Sequence, residues 1–296
     1  MQLKTAQDFD QELLILFDAY VHGTLDRRGF LDRAQKFAVG GMTAGMLLAA
    51  LSPDFARAQV VPKDDKRITT EMLEYPSTAG TGTVKGYLAK PANATGKLPV
   101  VLVVHENRGL NPHIEDIARR LALDNFVAFA PDALTPLGGY PGDEDKAREL
   151  FAKLDQKKAT EDFVAAANYL KSRPESSGKI GVVGFCYGGG MAHTLSVRMP
   201  DLNAAVPFYG NHPAAVDAVK VKAPLLIHFA GVDERINSAW PAYEAALKAA
   251  GTRYTAHQYA GTQHGFNNDT TPRFDATEAK LAWERTLAFF NAQLRA

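Results

Sequence analysis

The stretch Lys179-Ile-Gly-Val-Val-Gly-Phe-Cys-Tyr-Gly-Gly-Gly190 decides how this chain is read. Residues 179–185 form a nearly continuous apolar run, the mark of a strand buried on both faces of a parallel sheet. Helical spacing follows over 189–197. Between them lies Gly184-Phe185-Cys186-Tyr187-Gly188, a G-x-nucleophile-x-G turn with sulfur where a serine oxygen is usual. Such a turn is tight, and side chains at the two flanking positions would collide with neighbouring backbone, which explains the glycines. It also sets Cys186 at a helix N-terminus, where the dipole and free N–H groups favour a thiolate. Cys186 is the single cysteine. A lone thiol is either a small buried apolar residue or a reactive one, and this context selects the reactive reading. One cysteine also excludes a disulfide framework and any Cys-rich metal site.

Working outward, the same alternation continues on both sides. Leu98–Val104, 125–130, 204–209 and 224–230 read as buried strands, and 254–259 as a last one. Helical patterns occupy 114–123, 160–170, 239–250 and 276–294. Two alternating segments, 68–75 and 83–89, open the series as an antiparallel-looking pair. The expected fold is α/β: a doubly wound, mostly parallel sheet with helices on both faces. The segment 134–145 is the longest irregular piece and is expected to form part of a lid or pocket wall around Tyr140.

In such a sheet, ligands and catalytic groups gather at the carboxyl ends of the strands. Asp233 follows the strand 224–230, and His264 follows the last strand, so Cys186, Asp233 and His264 are expected at one edge in the order nucleophile, acid, base. His264 would share the thiol proton, and Asp233 would fix its tautomer and stabilise the imidazolium. Competing histidines are His105, His193, His212 and His228, and competing acids are the adjacent Glu234 and the upstream Asp217; only His264 of the histidines has the post-strand loop expected of the base, and Asp233 has the better position among the acids. The loop His105-Glu106-Asn107-Arg108-Gly109 follows the first buried strand. It casts the Asn107 N–H, with that of Tyr187, as an oxyanion hole. Glu106 either bonds the resting thiol or pairs with Arg108.

Residues 1–58 stand apart from the domain expected over 59–296. Arg27-Arg28-Gly29-Phe30-Leu31, an uncharged apolar run over 38–51 and the small-residue pattern Ala56-Arg57-Ala58 read as a twin-arginine export signal, which places the protein in the periplasm. The amphipathic segment 8–21 and the flanking Asp26 and Asp32 support the alternative, a retained helical extension on a cytoplasmic protein. The apolar run of 14 residues is too short for an integral membrane span, which takes about 20. Lys plus Arg and Asp plus Glu number 33 each, a balance that argues against a nucleic-acid or anionic-membrane partner.

The stretches HENRGL (105–110), GFCYGGG (184–190), AGVDERIN (230–237) and QHGFNN (263–268) resemble the dienelactone hydrolase family, and with PFYG (207–210) the likeness covers about residues 68–294. The resemblance is closest to a branch with an N-terminal extension. It implies an α/β-hydrolase fold and a Cys-His-Asp triad with no metal or organic cofactor. It also implies that Glu106 contacts the resting thiol and helps form the thiolate. One departure stands out: family members bind a lactone carboxylate with arginines, one of them four residues after the catalytic His, and here that position is Asn268. Arg108 or Arg273 are the substitutes considered, and Tyr140 and Tyr209 the other substrate-facing candidates. The expected activity is hydrolysis of a small carboxylic ester or lactone. The alternatives are an acyl transferase or thioesterase with the same triad, and a non-catalytic binding scaffold. A homo-oligomer is left open.

Overall fold

A computed structural model describes residues 4–56 and 59–295. Eight strands form one sheet: β1 (Ile68–Ser77), β2 (Gly82–Pro91), β3 (Leu98–Val104), β4 (Val127–Pro131), β5 (Ser176–Phe185), β6 (Ala204–Phe208), β7 (Leu225–Val232) and β8 (Tyr254–Gln263). Their spatial order is β1-β2-β4-β3-β5-β6-β7-β8. The opening pair is antiparallel, and β2 also meets β4 antiparallel; every ladder from β4 to β8 is parallel. The expected doubly wound sheet is therefore the observed one. The apolar run of β3 is buried at six of seven positions because helices cover both its faces.

On one face lie α4 (Pro112–Leu123) and α10 (Ala276–Leu294), through Ile114, Ile117 and Leu121 and through Ala282 and Phe290. On the other lie α6 (Gln156–Ser172), α7 (Tyr187–Arg198) and α9 (Trp240–Ala249), through Phe163 and Leu170, Met191 and Leu195, and Leu247. Caps follow the sequence: Asn111 accepts from the Ile114 N–H, and Asp155 and Asp275 each accept two N–H groups of the first turns of α6 and α10.

The segment 134–145 is less irregular than its composition implies. It holds a short 3-10 turn at Thr135–Leu137, and its last residues begin a helix, α5 (Glu144–Phe151), capped by Asp143. Only Ala147 of α5 is fully buried, so the segment carries almost no apolar periodicity to read. The short α8 (Glu234–Asn237) follows β7 directly.

Residues before the sheet form three helices, α1 (Gln11–Val21), α2 (Arg27–Ala34) and α3 (Ala44–Leu51). Their inward faces make a separate apolar cluster of Leu13, Leu14, Phe17, Tyr20, Phe30, Leu47, Leu48 and Leu51. Burying each of the larger side chains contributes about 1.5–3 kcal/mol before the entropy of ordering the chain. The arginine pair opens α2, and the apolar run supplies α3. Arg57 and Ala58, on which the expected cleavage site falls, lie outside the described residues. No described helix is long and apolar enough to cross a membrane.

Polar contacts fasten these helices to the sheet. Tyr20 and Arg27 both bond Asp145 of α5. Arg273 reaches Asp18 at 3.3 Å while lying over the Phe17 ring. The connecting chain is held by buried Asp116, which accepts the Val60 and Val61 N–H groups.

Candidate active site

Strand β5 ends at Phe185 and α7 starts at Tyr187, so Cys186 is the whole turn. Its backbone has φ 56° and ψ −112°, in the left-handed half of the map that a side chain rarely occupies. The turn is held by Cys186 N–H donating to Phe208 O and by Gly190 N–H donating to Cys186 O. The glycines have measurable reasons. A Cβ on Gly184 would lie 1.9 Å from Gly188 O, one on Gly188 2.2 Å from Val104 O, and one on Gly189 2.3 Å from Phe208 O. Tyr187 is the first residue of α7, so its N–H has no intrahelical acceptor and stays available to an oxyanion.

Asp233 and His264 sit just beyond β7 and β8, both nearly buried, and His264 Nδ1 lies 2.6 Å from Asp233 Oδ2. Nδ1–H donates to the carboxylate, which leaves Nε2 for the thiol. A third group was not anticipated. His22, the residue capping the C-terminal end of α1, places Nε2 3.3 Å from Cys186 Sγ. The thiol and one nitrogen from each imidazole all lie within 4.8 Å of one another. The two rings meet edge-on with centroids 4.8 Å apart.

These neighbours set the ionisation. Burial pushes the Cys186 thiol up, but the positive charges of His22 and His264 outweigh it and hold the thiol at about 6. Burial likewise pulls His264 down, and the thiolate with Asp233 overcomes this and raises it to about 10. His22 is raised in the same way, by the thiolate and by Asp18 against burial. A thiolate beside imidazolium is the result.

Cys186 opens on a cavity of about 660 Å³ whose lining includes Phe151, Tyr187, Tyr209, Asn107, Arg148 and Arg235, together with Val21 and His22. Tyr209 is buried with φ 37° and lines this cavity. Two other substrate-facing candidates lie away from it. Tyr140 is absent from the cavity wall and its hydroxyl donates to Glu144, because the turn before α5 directs it along that helix. Arg108 is 7 % exposed and donates to the carbonyls of Val21 and Asn107, near Glu144 at 3.7 Å. Arg273 is likewise engaged by Asp18. The cations that do line the cavity, Arg148, Lys153 and Arg235, come from α5, the residues after it and α8. Glu106 accepts from Asn268 Nδ2 at 2.8 Å, whereas the bond to Sγ comes from His22.

The four competing histidines are accounted for elsewhere. His228 lies between the Tyr259 and Thr286 hydroxyls, His105 accepts the Ala133 N–H, and His193 and His212 pack around Tyr243. His22, Asp18, Arg148 and Arg235 are the site residues the sequence did not announce. His22 is 164 positions from Cys186, and its only local signal is its place just past the amphipathic segment 8–21.

Fold and site thus define an α/β-hydrolase with a buried cysteine on its strand-to-helix turn. Residues 84–294 match the dienelactone hydrolase family, and the chain belongs to it. It is a hydrolase of the carboxylic ester and lactone class. A protein of Escherichia coli O157:H7, provisionally named carboxymethylenebutenolidase, is 32% identical over 246 residues, covering 78% of this chain and 90% of that one. YghX of Escherichia coli strain K12, provisionally named a hydrolase fragment, is 54% identical over 114 residues, 38% of this chain and 97% of the fragment. A crystal structure assigned provisionally as a dienelactone hydrolase, from Klebsiella pneumoniae, superposes with a TM-score of 0.66 at 28% identity and covers 75% of this chain and 98% of its own. Residues 1–39 match a separate family described as YqhI-like.

Proposed function

We propose that the chain hydrolyses a small carboxylic ester or lactone bearing an anionic group, through Cys186 as nucleophile. The observation that carries this reading is a buried thiol on a strained strand-to-helix turn, with the Asp233–His264 pair beside it and a cavity in front. Sγ attacks the carbonyl carbon, and the developing oxyanion is met by the N–H groups of Tyr187 and Asn107. Imidazolium His264 gives its proton to the departing alkoxide, leaving a thioester on Cys186. Neutral His264 then takes a proton from water, hydroxide adds to the thioester, and the acid leaves as Sγ regains its charge. Asp233 keeps Nδ1 protonated throughout.

The cavity has the volume of a small-ligand site, and Arg148, Lys153 and Arg235 outnumber its one acid, Glu149. Arg148, whose guanidinium lies over the Tyr20 ring, is part of the cavity wall and carries the N–H donors that suit a carboxylate. Steady-state hydrolysis of an activated ester and of a carboxylate-bearing lactone tests the reading. Cys186→Ala is expected to abolish turnover and Asp233→Asn to lower kcat about 10⁴-fold, as loss of the tautomer-fixing acid does in other triads. Turnover by Cys186→Ala equal to that of wild type would overturn it.

A further inference from the structure

The hydrolase family region starts at residue 84, yet the side chain bonded to Sγ belongs to residue 22. His22 is not a stray contact. Its Nδ1 donates to Asp18 O at 2.8 Å and lies 3.2 Å from Asp18 Oδ1, so the proton on Nδ1 is fixed and Nε2 is turned to the sulfur. Asp18–His22 on α1 therefore repeats, on the other side of Cys186, what Asp233–His264 does from the sheet edge. We infer that His22 is a working part of the thiolate site, an imidazolium that holds the charge of Cys186 from outside the hydrolase domain. The inference rests on the thiol-nucleophile reading above.

Three further observations support a built site. Val21 O, adjoining His22, accepts from Asn107 Nδ2 at 2.8 Å and from Arg108 Nη1 at 3.3 Å, so the loop that frames the oxyanion hole grips the end of α1. Asp18 is held by Arg273 and faces Arg235 at 3.8 Å. Behind them the rings of Phe17, Tyr20 and Phe30 pack against one another in tilted and edge-on contacts. Meanwhile Glu106, the residue expected at the thiol, is engaged by Asn268.

The charged and titratable groups around Cys186 are His22 and His264 in contact, backed by Asp18 and Asp233, with Arg235, Arg108, Arg273, Glu106 and Tyr209 further out and Tyr187, Arg148, Glu149 and Lys153 on the cavity wall. Arg235 Nη2 comes within 3.2 Å of His22 Nε2 and 3.3 Å of His264 Nδ1. With Nδ1–H of His264 committed to Asp233 and Nε2–H of His22 to the thiolate, these are approaches of like charge rather than hydrogen bonds. His22 need not move a proton in the reaction; it needs only to be cationic while Sγ is anionic. His264 keeps the acid–base role.

Because the chain has one cysteine, alkylation by iodoacetamide reports Cys186 alone. The measurement is labelling rate against pH for the full-length wild type, His22→Gln and Asp18→Asn, each checked for folding by circular dichroism. Removing one opposite charge in contact is expected to move the labelling midpoint of His22→Gln upward by roughly 1–2 pH units. Asp18→Asn should move it in the same direction by less. The ratio of the pH 7 rate to the high-pH plateau should fall by roughly two- to tenfold in His22→Gln. An unmoved midpoint in folded His22→Gln overturns the inference. So does a uniform rise in rate at every pH, since that means His22 only covers the thiol. If wild type hydrolyses no ester while the midpoint still shifts, the proposed reaction fails and the charge role of His22 stands.

Discussion

Four glycines lie within residues 184–190, and the structure assigns them different duties. Alanine at Gly184 would put a Cβ 1.9 Å from Gly188 O and 2.3 Å from Gly188 C. Ordinary contact begins near 3.4 Å, so these atoms must separate by more than about 1 Å, and neither belongs to a side chain that can swing away. Overpacking a core costs about 1–3 kcal/mol when side chains can yield, and a clash between backbone segments lies at or above the top of that range. The displaced atoms carry the first turn of α7, and with it Cys186 and the Tyr187 N–H. A misplacement of about 1 Å in a reacting constellation costs about 10²-fold in rate. At Gly190 the nearest atom to a new Cβ is Asn211 O at 3.5 Å, an ordinary contact, and the residue is inside a helix. Gly190→Ala should therefore be neutral or stabilising by up to about 1 kcal/mol, a rise in Tm of about 1–3 °C. Thermal melts together with kcat/KM on an activated ester separate the two. Wild-type kcat/KM and Tm in Gly184→Ala would refute the reasoning, as would a Gly190→Ala variant as damaged as Gly184→Ala.

The pH profile of kcat/KM should fall on the acid side through about 6, where the thiolate protonates, and on the alkaline side through about 10, where His264 loses its proton; these limbs belong to the coupled pair. For stability the two shifts oppose each other. The lowered thiol stabilises the fold at high pH and loses its effect as pH falls through about 6, while raised His264 stabilises at low pH and loses its effect as pH rises through about 10. Between about pH 7 and 8 these two effects cancel, because folding moves a proton from sulfur to His264, and the further proton taken up by raised His22 should leave Tm falling gently as pH rises; a Tm that rises there would contradict the two imidazolium charges. Arg148→Gln should raise KM for a carboxylate-bearing lactone about 10- to 100-fold and leave a neutral ester within about twofold, as loss of a charge-assisted bond predicts; equal effects on both would remove Arg148 from carboxylate binding. Intact mass of the active protein decides between the two fates of residues 1–58: a site completed by His22 requires the full chain, and an active species beginning at Gln59 would show that the hydrolase works without it.

The middle of the sheet was legible because β3, β4, β6 and β7 are apolar runs too uniform to be anything but doubly covered, and the grouping of Cys186, Asp233 and His264 because each follows a strand end. Asp233 and His264 could be picked from many acids and eight histidines by that position alone. What stayed hidden follows a physical pattern. Helix α5 buries one alanine fully and so leaves no periodic trace. Arg108 and Tyr140 lie in loops that lead to the site, but sequence position does not say where a long side chain turns, and both turn to Glu144. His22 reaches the thiol through tertiary packing of a segment whose composition reads equally as a leader, and no spacing rule links positions 22 and 186.

A buried nucleophile sets a problem that the residues here answer in a particular way. Cys186 is 9 % exposed, and desolvation alone would keep its thiol neutral and unreactive at neutral pH. The helix dipole of α7 helps, but its glycine-rich first turn bears no basic side chain. The charge then comes from the imidazoles, and in the proposed reaction a single His264 would serve both as counter-ion in the resting state and as proton donor to the leaving group. Having given that proton away, it would no longer stabilise an anion nearby. A second imidazole outside the proton relay would remove the conflict by keeping a cation beside Sγ when the thiolate is expelled in the proposed deacylation step. Asp18 supplies what such a group requires, a fixed tautomer and a carboxylate held well below its usual range by His22, His264 and Arg273 against the opposing effect of burial. With Asn268 holding Glu106 in a separate hydrogen bond, the work expected of an acid at the thiol is consistent with transfer to a base from the N-terminal helices.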